Sequence, residues 1–197
     1  MKKIIISLLI ILVFVFVCYK IVEKKQTKED ETSIGSLTEL FPNKEQNYTY
    51  QINGTKTKTT VKVSTQEGQT TITMSYVDHD KTTVNRIYEV TEDKIVESSK
   101  TYQDKELVSE EIATEVITSM PYVGLTYTSV DGLITYKVTE MKNNKIRIES
   151  TQKVMSYEKD KAVEKESKII RVFEKSKGLV LYETELDGKK NTILKLK

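Results

Sequence analysis

The chain is poor in the residues that most often carry chemistry. It has no tryptophan, one cysteine, one histidine and two prolines among its 197 residues. The cysteine, Cys18, lies in an apolar run near the N-terminus, which removes it as a nucleophile in the folded part. The sequence contains no Gly-x-Ser-x-Gly elbow and no glycine-rich phosphate loop. These absences exclude the commonest nucleophilic and nucleotide-binding motifs.

The only histidine, His79, stands between two aspartates, Asp78 and Asp80. Carboxylates beside a histidine suit a general base or a metal site. A metal site, however, needs three or four converging ligands, and Asp-x-Asp is common in solvated turns. The other carboxylates are spread along the chain next to lysines, which favours cross-strand ion pairs over a glycosidase-like pair. The sequence therefore predicts no catalytic residue, metal or cofactor, and a protein that is not an enzyme.

Only one long hydrophobic run is present. Two lysines precede an apolar stretch over residues 4–22, which reaches about the length that a bilayer requires. Because no Ala-x-Ala-like cleavage site follows, an uncleaved transmembrane anchor over residues 1–22 is favoured over a cleaved signal peptide. A lipoprotein signal ending at Cys18 is a further alternative, but Val17 is bulky where such signals have a small residue.

The flanking charges leave two orientations open. More lysines follow the apolar run than precede it, and by the positive-inside rule alone this places the bulk of the chain in the cytoplasm. A short basic N-terminus before an apolar run is, however, typical of export signals, and a folded part without cysteine suits an exterior location. We therefore predict a single-pass protein of the cell membrane whose bulk is extracytoplasmic. The charged, polar composition of residues 23–39 predicts a flexible tether. Residues 40–197 are predicted to form an extracytoplasmic β domain.

The slight basicity of the chain belongs to its N-terminus. Residues 1–25 hold five of the 31 basic and one of the 29 acidic side chains, so that 26 basic and 28 acidic residues, a net charge of −2, remain. A nucleic-acid partner would require a concentrated basic patch, and none is predicted. The ladder Lys56, Lys58 and Lys62 suits an anionic wall polymer or lipid headgroup, but it is more typical of a charged outer face or a protected sheet edge.

Beyond residue 40 the dominant period is two. Tyr48, Tyr50 and Ile52 share one face before the hairpin signal Asn53-Gly54. On a later segment Val84, Arg86, Tyr88 and Val90 share a face, opposite to Asn85, Ile87 and Glu89. Turn signals recur about every 10 to 14 residues. This pattern predicts a mainly β protein: a curved antiparallel sheet in the form of a meander, half-barrel or sandwich.

Residues 106–119 fit two interpretations. Val108, Ile112 and Val116 form a helical stripe, but they also fit a strand with Glu110 and Thr114 between them. The content of isoleucine, threonine and valine favours the strand.

The two prolines begin similar units. Pro42 and Pro121 each stand six residues before a Tyr-Thr pair, and a turn dipeptide follows, Asn53-Gly54 in the first unit and Asp131-Gly132 in the second. We interpret these units as two pseudo-repeats starting near residues 41 and 120. In each, proline marks the entry to a strand, and the turn supplies positive φ.

The segments Gly124-Leu125-Thr126-Tyr127 and Lys177-Gly178-Leu179-Val180 carry a resemblance to a known group. The chain resembles uncharacterised bacterial exported and lipoprotein-like β proteins, in which a Pro-x-x-x-Gly-x-x-aromatic entry recurs and a Gly-Leu-Val strand closes the domain. The resemblance implies a curved antiparallel sheet similar to the half-barrels of periplasmic lipoprotein carriers.

The tyrosines are the best binding candidates in the sequence. Tyr48, Tyr50, Tyr127 and Tyr136 would line the concave side of a curved sheet, although core packing alone accounts for such aromatics. The hypothesis that follows is a non-catalytic binding or assembly module of the cell envelope, with an envelope protein, wall polymer or lipid as partner. The alternative is a carrier or sensor of a lipid or other apolar ligand in a half-barrel.

Overall fold

A computed structural model describes residues 34–78, 81–129, 131–158 and 161–197. The strands are β1 (Gln46–Ile52), β2 (Thr55–Gln66), β3 (Gln69–Val77), β4 (Thr83–Val90), β5 (Ile95–Gln103), β6 (Glu106–Ile117), β7 (Thr126–Thr128), β8 (Ile134–Lys142), β9 (Lys145–Glu158), β10 (Lys161–Glu174), β11 (Gly178–Leu186) and β12 (Lys189–Leu196). A short 3-10 helix, Leu37–Leu40, precedes them. The predicted membrane anchor, residues 1–22, lies outside the described residues. Within the ranges given above, no helix is both long and apolar enough to cross a bilayer.

All twelve strands form one antiparallel sheet. Its spatial order is β6-β5-β4-β3-β2-β1-β12-β11-β10-β9-β8-β7. The first and last of the described strands, β1 and β12, therefore pair at the centre of the sheet, with Tyr50 opposite Leu196 and Ile52 opposite Leu194. The strands at its two ends, β6 and β7, are consecutive in sequence. The prediction of a mainly β protein with a curved antiparallel sheet is confirmed.

The sheet is curved, so that side chains from strands far apart in the strand order contact each other across its concave side. β5 and β10 are the second and ninth strands in the spatial order, yet Glu97 on β5 and Arg171 on β10 form an ion pair at 2.6 Å. Irregular pairing contributes to this curvature, because bulges bend a strand. The register of β10 and β11 shifts between Val172 and Phe173, and that of β5 and β6 shifts at three places. The sheet nevertheless remains unclosed.

Residues 106–117 form strand β6, as their β-branched content favoured. This strand ends the sheet, so only β5 pairs with it in the described ladders. Its first part is exposed on both faces, whereas Val116 and Ile117 are buried. The helical stripe that the sequence also permitted does not form, because pairing with β5 satisfies the backbone groups of this segment.

The two proline units differ in their turns. Asn53 and Gly54 both have positive φ, 44° and 86°, and join β1 to β2 as the hairpin signal predicts. In the turn dipeptide of the second unit, Asp131-Gly132, only the glycine has positive φ, at 75°. There the side chain of Asp131 accepts a hydrogen bond from the backbone of Leu133 at 3.0 Å, within a longer loop between β7 and β8.

The N-terminal end of the described chain fills one end of the concave side. Leu37 and Leu40 of the 3-10 helix are fully buried, and Ile34 is 7% exposed. The ring of Phe41 lies 5.3 Å from that of Tyr88 and 5.6 Å from that of Phe173. Ile34 and Leu37 are therefore part of the packed core, although they lie in the stretch, residues 23–39, whose polarity predicts a tether.

Tyr127 provides a first test of the packing in the second proline unit. Its ring stacks on Tyr136 at 4.9 Å, but its buried hydroxyl has no hydrogen-bond partner among the described residues. We expect Tyr127→Ala to lower the free energy of unfolding by about 2 to 3 kcal/mol through lost burial. Tyr127→Phe removes only the unsatisfied hydroxyl, so it should be neutral or stabilising by up to about 1 kcal/mol. Urea unfolding of both full-length variants measures this, and an unchanged midpoint for Tyr127→Ala would contradict a packing role.

Candidate functional site

Three charged side chains meet on the concave side of the sheet. Glu97 on β5 pairs through Oε1 with Nη1 of Arg86 on β4, and through Oε2 with Nε of Arg171 on β10 at 2.6 Å. Arg171 Nη1 also donates to Ser150 Oγ at 3.0 Å, and the Tyr88 hydroxyl donates to Glu97 Oε1 at 3.2 Å. The three charged side chains are between 5% and 9% exposed. We refer to Arg86, Glu97 and Arg171 as the buried charge cluster.

The alternation of each strand places these charges inward. Residues two apart on a strand point to the same face, and each charged residue has a buried neighbour at that spacing. The pairs are Arg86 with Tyr88 on β4, Glu97 with Ile95 on β5, and Arg171 with Phe173 on β10. The charges therefore occupy positions that belong to the core pattern of their strands. β4 and β5 are neighbours in the sheet, and its curvature brings β10 to them.

A cleft of about 360 Å³ opens beside the buried charge cluster. The cluster lines it together with Ser150 and Tyr182, and its other sides come from β6, β8, β9 and β10. Ile112, Ile134 and Ile169 make part of this lining apolar, and Ile112 is 88% exposed. The volume lies near the lower end of the range for small-molecule sites.

The buried charge cluster is not electrically balanced. Two guanidinium groups, +2, oppose one carboxylate, −1, which leaves a net charge of +1 with almost no exposure. The ring of Tyr182 offsets part of the cost, because it lies 4.3 Å from Arg86 Cζ and 5.3 Å from Arg171 Cζ. Arg86 Nε is buried without a hydrogen-bond partner among the described residues. The cluster therefore has donor capacity that the protein's own acceptors do not use.

The ionisation of Glu97 is controlled by its two partners. Burial alone would raise its pKa, but the charges of Arg171 and Arg86 and their hydrogen bonds outweigh burial and lower the pKa from 4.5 to about 2. Burial raises the pKa of the Tyr88 hydroxyl, which therefore stays protonated and donates to Glu97. The carboxylate remains charged throughout the neutral and mildly acidic range.

This shift predicts a specific loss of stability in acid. Because the folded-state pKa of Glu97 lies below its ordinary value, its contribution is complete above about pH 5 and is lost as the pH falls toward 2. The contribution is on the order of 3 kcal/mol. We expect urea unfolding of the wild type to show this fall between pH 5 and 2, and Glu97→Gln to lack that part of the slope. A variant with the same slope as the wild type would contradict the prediction.

The four tyrosines that the sequence singled out do not form one site. Tyr50 and Tyr136 are 1% exposed, while Tyr48 and Tyr127 are partly buried against the same core. The Tyr50 hydroxyl donates to the backbone carbonyl of Leu179 at 2.7 Å, which gives it a structural partner. Of the four, Tyr136 lines the cleft.

The other candidates from the sequence lie away from the cleft. Lys56, Lys58 and Lys62 are exposed on β2, an interior strand of the sheet, so they mark an outer face and not an edge. His79 and Asp80 lie outside the described residues. Asp78 accepts a hydrogen bond from Asn53 Nδ2 at 3.1 Å. Within the described part of the chain, no three His, Cys, Asp or Glu side chains are grouped as metal ligands.

A second concavity, of about 500 Å³, lies beside the 3-10 helix. Its charged residues Glu39 and Lys175 are paired at 2.8 Å and both partly exposed, so their charges are balanced and solvated. It therefore has no unused buried donor comparable to Arg86 Nε, and the cleft beside the buried charge cluster is the stronger candidate.

Sequence reasoning did not identify the buried charge cluster. One signal was present, because Arg86 shares its strand phase with Val84, Tyr88 and Val90, and a charge on an apolar face is unusual unless it is paired. Glu97 is only 11 residues from Arg86, on the next strand of the meander, but Arg171 was not accessible in this way, since it lies 74 residues from Glu97.

Comparison with known proteins identifies no relative of this chain. No protein-family model, curated protein or solved structure matches the chain.

Proposed function

We propose that this protein is a non-catalytic binding module of the bacterial cell envelope that holds its ligand in the cleft beside the buried charge cluster. The observation that supports the proposal is the cleft itself. It combines a concave shape, partly apolar walls and a few buried polar groups, which is the usual composition of a ligand site. The N-terminal anchor and tether that the sequence predicts would hold this domain at the outer side of the membrane.

A second candidate function is that of a carrier or sensor of a lipid or other apolar ligand in a half-barrel. The exposure of Ile112 favours it, because this large apolar side chain lies at the cleft with 88% of its surface in contact with solvent. Ile134 and Ile169 line the same cleft and extend the apolar surface. A ligand with an apolar part would cover these side chains.

Site-specific crosslinking tests the proposed site and the proposed location together. Ile112→Cys places a thiol at the cleft, and Tyr122→Cys places one at a residue that is 61% exposed and is not part of the cleft lining. A membrane-impermeant maleimide carrying a benzophenone is added to intact, wall-stripped cells of a bacterium that produces the variant. We expect both variants to be labelled from outside, and light to yield a specific ligand adduct only at position 112.

The wild type, whose only thiol is Cys18, serves as the background control. Labelling that requires broken cells would contradict the exterior location. Identical adducts at positions 112 and 122, or none at either position, would contradict binding in the cleft.

A further inference from the structure

We infer that the ligand of the cleft is a small amphiphile with a single carboxylate, whose head group binds Arg86 and Arg171 and whose apolar part lies against Ile112, Ile134 and Ile169. This inference rests on the proposed function and names the chemical class of the ligand. The unused donors of the buried charge cluster, its net charge and the composition of the cleft support this class of ligand.

The donors of the cluster exceed its acceptors. Each guanidinium carries five N–H groups, and Glu97, Ser150 and the Tyr76 hydroxyl accept only some of them, which leaves Arg86 Nε without a partner among the described residues. The single carboxylate of Glu97 is meanwhile shared by both arginines and the Tyr88 hydroxyl. A second carboxylate would supply two further acceptor oxygens in the planar geometry that a guanidinium binds best.

The charged residues that line the cleft are two arginines and two glutamates, so the formal charge of the whole lining is zero. Within it, the net +1 of the buried charge cluster favours a single negative charge on the head group of the ligand. One carboxylate neutralises the net +1 of the buried charge cluster, whereas a doubly charged group would leave an excess negative charge beside Glu97. Glu111 also lines the cleft, where it accepts a hydrogen bond from Ser99 Oγ at 2.7 Å. This exposed carboxylate opposes an anion and sets a measurable limit on its affinity.

The remainder of the cleft selects a short apolar chain. Three isoleucines contribute to its lining, and its volume of about 360 Å³ suits a small ligand and not a whole phospholipid. Transfer of apolar surface from water to these side chains adds to the attraction of the head group.

Octanoate and octanol form a matched pair of probes, because they share the apolar chain and differ in the charged head group. Each is titrated calorimetrically into the full-length protein in phosphatidylcholine nanodiscs, and empty nanodiscs provide the blank for partition into the bilayer. We expect saturable binding of octanoate with one site per chain, and binding of octanol that is weaker by at least about tenfold. Added salt should weaken the binding of octanoate and leave the binding of octanol nearly unchanged.

Two neighbouring glutamates provide variants that leave the buried charge cluster intact. Glu111→Gln removes the opposing charge at the cleft. It should therefore increase the affinity for octanoate by about threefold and leave the affinity for octanol unchanged. Glu110→Gln is the matched control, because Glu110 is paired with Lys100 and does not line the cleft. It should change neither affinity.

Three outcomes would overturn the inference. These are equal affinity for octanoate and octanol, no effect of Glu111→Gln on octanoate, and no saturable binding of octanoate at millimolar concentration. Each of these results would leave the proposed function to be decided separately by the adduct at position 112. If that adduct is absent while octanoate still binds with the expected response to Glu111→Gln, the cleft is a carboxylate site but the envelope ligand does not occupy it.

Discussion

Replacement of Glu97 by alanine is expected to lower the free energy of unfolding by about 3 to 5 kcal/mol, because it leaves two buried arginines without their shared carboxylate. Arg86 and Arg171 are each less than 10% exposed, so water that enters the cleft replaces the lost partner only in part. The donated bonds from Arg86, Arg171 and Tyr88 all end on this one side chain. Removing it therefore affects three strands at once.

The matched control for this prediction is Glu110→Ala. Glu110 also forms an ion pair, with Lys100 on the neighbouring strand at 3.0 Å, but both side chains are at least one third exposed. An exposed pair contributes from about 0 to 1 kcal/mol, so this variant should unfold close to the wild type. Urea unfolding of the full-length proteins, followed by far-ultraviolet circular dichroism, measures both. Equal effects of the two substitutions would show that the cleft hydrates the arginines and that the buried charge cluster does not stabilise the fold.

Replacement of Phe41 by alanine is expected to lower the free energy of unfolding by about 3 to 5 kcal/mol, through lost burial and the cavity that remains. Phe41 is 4% exposed and packs against Tyr88 and Phe173, which lie on strands from opposite halves of the sheet. The space around it is full, since a Cβ added at Gly178 would lie 3.2 Å from Phe41 Cδ1. Close packing of this kind leaves little room for neighbouring side chains to collapse into the cavity.

Loss of Phe41 should also loosen the N-terminal segment. That segment is held to the sheet by two backbone bonds, Leu37 N to Glu92 O at 2.9 Å and Ser176 N to Glu39 O at 2.8 Å. Hydrogen exchange of the full-length variant should therefore show faster exchange at Leu37 and Ser176 than in the wild type. Tyr122→Ala, at an aromatic that is 61% exposed, is the control and should change stability by less than about 0.5 kcal/mol. If Phe41→Ala leaves both the hydrogen-exchange rates and the urea midpoint at their wild-type values, Phe41 does not hold this segment against the sheet.

The proposed ligand site shares the buried charge cluster with the first of these stability predictions. A buried cluster with an excess positive charge costs stability, and a ligand carboxylate that neutralises the excess would offset part of that cost. The expected response of octanoate binding to Glu111→Gln separates the two roles, because Glu111 is exposed and contributes little to the core.

Local patterns in the sequence were sufficient to predict the strands and several of the turns between them. The period of two at Tyr48, Tyr50 and Ile52 and the dipeptide Asn53-Gly54 predicted the first hairpin, because alternation and positive φ are properties of neighbouring residues. The same reasoning placed Arg86 on the face of Tyr88. It remained ambiguous at residues 106–117, where a strand exposed on both faces lacks the alternation that marks a half-buried one.

The tertiary structure alone decided which strands are neighbours and which charges meet. No local signal links β1 with β12, because that pairing joins the two ends of the folded chain and depends on the total length and curvature of the sheet. The buried charge cluster depends on the same curvature: Glu97 and Arg171 belong to the second and ninth strands of the sheet and come together only when it bends. The burial of Ile34 and Leu37 was also decided in this way, since both lie in a polar stretch of sequence and are buried only because the curved sheet offers them a concave surface.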